Sequence, residues 1–90
     1  PGARKEKVEE YTRRLRHIED IAASHMGVQQ AFALQNGKEV RVLVDSVLVD
    51  DTYADQLADE ITAKIEQELE YTGQLRVCLV REVRAVHYAR

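Results

Sequence analysis

The ninety-residue chain has one cysteine, Cys78, which excludes an internal disulfide framework and suits a reducing compartment. No apolar run approaches the ~18 residues of a membrane span, and no signal-peptide pattern opens the chain. The glycines at 2, 27, 37 and 73 never meet the Gly-x-x-Gly spacing of a KH clamp on RNA. Phe32 is the one aromatic of the strand-like segments, so the paired aromatics of an RNA-recognition-motif sheet are missing. Histidine is sparse too. His17, His25 and His87 form neither a His-Asp dipeptide nor a His-x-x-x-His pair, which argues against a metal or catalytic role for them. Cys78 has no base near it in sequence and lies on an alternating strand, the setting of a structural thiol. Asp50 and Asp51 are adjacent acids at a helix start, where caps are far commoner than divalent-ion sites.

What is present suffices for a fold. A hydrophobic fraction of 44% and a charged fraction of 32% place the chain among globular domains. Its 10.3 kDa make one domain, residues 1–90. At the usual stability per residue it reaches about 5–13 kcal/mol, enough to fold alone. The net charge of −3 is unevenly spread: residues 45–70 hold nine acids against Lys64, whereas residues 71–90 hold four arginines against Glu82. The acidic centre repels a polyanion, so nucleic-acid binding by the chain alone is disfavoured.

Val8, Tyr11, Leu15, Ile18 and Ala22 recur at steps of three and four, predicting a helix over residues 6–24 with Ile21 and Met26 widening its apolar stripe. Glu9 with Arg13 and Glu10 with Arg14 are acid-first pairs four apart. Pro1-Gly2 reads as an extended or turn-like start, and Gly27 as the stop. Two strands follow, residues 28–34 and 38–44, around an Asn36-Gly37 turn. A three-residue loop, Gln35-Asn36-Gly37, would set Phe32 opposite Val40 and Val28 opposite Val44, burying all four on one face with Gly37 left-handed in a bulge.

Thr52 and Asp55 fit a capping box, with Asp50 and Asp51 as alternative caps. Ala54, Leu57, Ala58, Ile61, Ile65 and Leu69 then describe an amphipathic helix that ends at Thr72-Gly73. Leu75, Val77 and Leu79 alternate with Arg76 and Cys78 as a third strand, and weak alternation persists to Tyr88. The order α-β-β-α-β predicts an α+β two-layer sandwich with both helices on one sheet face. A right-handed crossover returns the third strand parallel to the second. With the first strand between them, every neighbouring pair is antiparallel and the strand order is 2-1-3. The expected fold is thus a three-stranded, mainly antiparallel sheet, similar to a ferredoxin-type fold without its opening strand.

Several stretches together carry a family resemblance. They are Pro1-Gly2-Ala3-Arg4, Glu9-Glu10-Tyr11 with Arg14-Leu15, Gly27-Val28, Ala33, and Val40-Arg41-Val42. The run Ile65-Glu66-Gln67-Glu68-Leu69-Glu70-Tyr71 followed by Gly73-Gln74 is the most telling. Val80-Arg81-Glu82, Arg84-Ala85-Val86 and Tyr88-Ala89 complete the set. Over nearly its whole length the chain resembles the C-terminal region of bacterial ribonuclease Y, departing from it at Thr72, where proline is expected, and at His87, often acidic.

That resemblance implies a parent endoribonuclease that initiates messenger-RNA turnover. The parent is tethered to the membrane by an N-terminal helix and faces the cytoplasm, with a coiled coil, an RNA-binding KH domain and an HD-type catalytic domain. The histidines and aspartates that hold divalent metal in the HD domain precede this segment, so no catalytic, cofactor or metal residue carries over. The expectation is a non-catalytic C-terminal domain that docks on the HD domain or forms a homodimer, reaching RNA through the parent and making no membrane contact itself. Val8, Tyr11, Leu15, Ile18 and Val83 are its candidate interface residues. The alternative is an auxiliary RNA-contacting module with Arg13, Arg14, Arg16, Arg81 and Arg84 on phosphate.

Overall fold

The computed structural model describes residues 2–70 and 74–82. Helix α1 spans Gly2–Ala23, strand β1 Val28–Leu34, strand β2 Glu39–Asp45, helix α2 Asp51–Glu68 and strand β3 Arg76–Glu82. The element order is the expected one. Helix α1 starts four residues before its predicted boundary, and Ala3, Arg4 and Lys5 are strong helix formers that let it do so. It ends at Ala23, so Met26 lies beyond the helix and does not widen its stripe. Asp50, one of the alternative caps, takes the N-cap of α2: its carboxylate accepts the Tyr53 N–H at 2.8 Å. The expected Thr72-Gly73 stop and the continuation of the last strand toward Tyr88 lie outside the described residues.

The sheet order is β1-β2-β3, which corrects the expected 2-1-3. β1 pairs antiparallel with β2, and β3 returns parallel on the other side of β2. The sheet is therefore mixed rather than mainly antiparallel. Side-chain size explains which strand takes the middle. β2 turns Val40, Val42 and Val44 inward, all fully buried, whereas β1 turns in only Ala31, Ala33 and Val28. A central strand lies under both helices and must fill that volume, and an edge strand with alanines cannot.

The hairpin register is corrected as well. Phe32 lies opposite Arg41, and Ala33 opposite Val40, so Phe32 points away from the core. This is the register of a tight Asn36-Gly37 connection, although the link runs from Gln35 to Lys38 through a short 3-10 turn. An irregularity between Val28 and Gln30 restores the expected Val28–Val44 pair. Gly37 is left-handed as expected, at φ +82°, and Gln35 and Asn36 also have positive φ.

Both helices cover the same sheet face. Ile18, Ile21 and Ala22 of α1 meet Leu57, Ile61 and Ile65 of α2 over the β2 valines, with Val49 closing one end. No buried side-chain nitrogen or oxygen among the described residues lacks a partner. The apolar stripe of α1 divides: its C-terminal half is core, while Val8 and Tyr11 stay exposed.

Candidate interaction surfaces

The predicted site residues end up in different places. Ile18 is fully buried and belongs to the core. Leu15 is half-buried, and Tyr11 donates from its hydroxyl to Asn36 Oδ1 at 2.7 Å, tying α1 to the hairpin turn. Arg14 donates to the Glu70 carbonyl at 2.8 Å, supplying a cation where the carbonyls of α2 end. Arg13 donates to the Glu9 carbonyl at 3.4 Å, Arg16 is exposed, and Arg81 pairs with Asp51 at the start of α2. Val83, Arg84 and His87 lie outside the described residues. Glu10, Arg13, Arg14 and His17 form an open groove with Leu69 and Glu70, and His17 Nε2 stands 3.5 Å from Glu68 Oε1. His25 sits at its own helix end, Nδ1 2.9 Å from the Ile21 carbonyl.

Sequence reasoning missed an apolar end. Met26, Val47 and Leu48 are 79%, 87% and 62% exposed on the two loops that flank the sheet there. The loops are held firmly. Tyr53 donates from its hydroxyl to the Met26 carbonyl at 2.9 Å, and the Asp45 N–H donates to the Gly27 carbonyl at 3.0 Å. Asp45 Oδ1 accepts the Val47 N–H at 2.8 Å. Gly27, at φ +89°, lies so close to buried Val49 that a Cβ would stand 2.7 Å from its Cγ2. The legible signal was Val47-Leu48, two large apolar residues in a turn just before a helix cap.

The second surface is the sheet face that no helix among the described residues covers, called the bare face below. Register places Leu34, Glu39 and Arg76 in one row, Phe32, Arg41 and Cys78 in the next, then Gln30, Leu43 and Val80, and finally Asp45 and Glu82. Phe32 is 41% and Val80 37% exposed. Glu39 is buried because Arg41 Nη2 and Arg76 Nε close over its carboxylate at 3.1 and 3.6 Å. The expected burial of Phe32 fails with the register.

Among the described residues no group of three or more His, Cys, Asp and Glu could hold a metal ion. No helix among them is long and apolar enough to cross a membrane. The fold thus defines a two-layer α+β domain with one bare sheet face and one apolar end.

Comparison supplies the family. No family model and no solved structure matches the chain. Its full length is 53% identical to ribonuclease Y of Rubrobacter xylanophilus, 51% to that of Desulforudis audaxviator and 48% to that of Geobacillus thermodenitrificans. The chain covers 17–18% of the length of these relatives. It is a region of the ribonuclease Y family.

Proposed function

We propose that the chain is the non-catalytic C-terminal interaction domain of a ribonuclease Y, docking on the remainder of that protein or on a second protomer. The parent is read as a membrane-tethered, cytoplasm-facing endoribonuclease that initiates messenger-RNA decay with metal held in an HD-type domain. The observation that carries the reading is the apolar end. Met26, Val47 and Leu48 stand out on loops fixed by Tyr53, Asp45 and Gly27. Loops held this tightly keep large apolar side chains in water at a cost that a partner surface removes. The rest of the ribonuclease Y chain, more than four-fifths of the relatives' length, is the nearest such partner.

Hydrogen exchange on the full-length ribonuclease Y and on this chain alone tests it. Amides of residues 26–28 and 46–49 should be protected more in the full-length protein, and Val47→Ser with Leu48→Ser should remove that difference. Equal exchange in the two forms would refute the docking reading. The chain alone should cleave no RNA with Mg²⁺ or Mn²⁺, and cleavage lost on chelation would refute the non-catalytic one.

A second reading, an auxiliary RNA-contacting module, draws on Phe32 beside Arg41 on the bare sheet face. It is the weaker, because Glu39 already engages both Arg41 and Arg76. RNA binding that falls steeply with salt would favour it.

A further inference from the structure

We propose that α1 guards the outer edge of β1, its Glu19 carboxylate holding a backbone N–H that an added strand would need. The inference goes beyond the docking reading, since it involves neither the apolar end nor the bare face.

β1 is an edge strand, with β2 on one side and no strand among the described residues on the other. The Ala33 N–H turns away from β2 and donates to Glu19 Oε2 at 2.9 Å. In an antiparallel ladder the outward-facing groups recur every second residue, so those of Ala31 face outward as well. A row of such groups is a template for pairing with another chain.

The spacing of residues along α1 sets the guard in place. Tyr11, Leu15 and Glu19 are four apart and lie along one side of the helix. Tyr11 reaches Asn36 at the hairpin turn, Glu19 reaches Ala33, and Leu15 between them is half-buried. The irregularity between Val28 and Gln30 bends β1 at its start, and the positive φ of Gln35 and Asn36 turns the chain away at its end. The straight part of the edge is therefore short, and Glu19 stands on it.

A carboxylate blocks this edge better than a neutral group would. An incoming strand would bring a carbonyl oxygen to the Ala33 N–H and meet the carboxylate instead. Glu19 is half-buried, and among the described residues no base pairs with it. Covering it with a strand would bury an unpaired charge, a larger cost than an edge hydrogen bond returns.

Sedimentation of the wild type and of Glu19→Ala from about 10 to about 500 μM tests the guard. Glu19→Ala should self-associate about tenfold more tightly than the wild type, because its β1 edge is open to a second copy. Adding Ala31→Pro should cancel that gain: proline on the outward side costs no ladder bond but spoils the edge. A Glu19→Ala protein that loses stability yet associates no more than the wild type overturns the inference, leaving Glu19 an anchor of α1. A gain that persists with Ala31→Pro, in a chain that still unfolds cooperatively on heating, overturns it too. Glu19→Asp keeps the charge and the helix but falls one methylene short of Ala33. Amide exchange at Ala33 should quicken about tenfold in that variant, and unchanged exchange would also overturn the guard. The docking reading is decided separately, by exchange at residues 26–28 and 46–49.

Discussion

Replacing Gly27 by alanine tests how firmly the apolar end is built. The φ of +89° costs an L-residue about 1–2 kcal/mol. The new Cβ would also stand 2.7 Å from Val49 Cγ2. Val49 is fully buried and stiff at χ1, so it cannot swing aside, and such overpacking costs about 1–3 kcal/mol. The total, about 2–5 kcal/mol, is a large share of the ~5–13 kcal/mol expected for a domain of this length. With a urea m-value of roughly 1–1.5 kcal/mol/M, the denaturation midpoint should fall by at least about 1.3 M. A double-mutant cycle with Val49→Ala separates the two causes, since the smaller side chain relieves the collision and leaves the backbone strain. The cycle should show a favourable coupling of about 1–2 kcal/mol. A midpoint shift below about 0.3 M would refute the argument as a whole, and strict additivity would refute the collision.

Two further outcomes probe the neighbouring contacts. Asp50→Ala removes the acceptor of the Tyr53 N–H and should cost about 1 kcal/mol in urea denaturation, with Asp50→Asn recovering most of it. Tyr53→Phe deletes the hydroxyl bond to the Met26 carbonyl; stability should drop by about 0.5–1.5 kcal/mol and exchange at residues 26–28 should quicken, while unchanged exchange would mean that the loop is held by other contacts.

The elements were legible because each carries its own local signal. Val8 through Ala22 and Ala54 through Leu69 repeat at helical spacing, and the acids at 50 and 51 announce a cap. Sheet order and register are set by what presses on the sheet, which a hairpin considered alone does not contain. Ala31 and Ala33 were the available clue: small residues facing β2 fit an edge strand beneath α1, whereas the valines at 40, 42 and 44 fit the centre. Matching Phe32 to Val40 by size alone misplaced the aromatic. The same error hid the bare face, because a buried Phe32 leaves little there to notice. The apolar end was legible only in part, through Val47-Leu48. Met26 continues the helical spacing of α1, and only the actual helix end at Ala23 removes it from the stripe.

The mixed sheet also sets a sequence in time. Hairpin pairs at the turn, Leu34 with Glu39, lie five residues apart, so β1 and β2 can zip as soon as the link between them bends. Every β2–β3 pair, from Glu39 with Arg76 to Asp45 with Glu82, is separated by 37 residues. Closing that longer span costs more chain entropy before any contact repays it. On that ground β3 is expected to pair after the hairpin has formed. Arg41 can meet Glu39 within β2, but Arg76 reaches that carboxylate only when β3 docks, so a long-range pairing completes the triad.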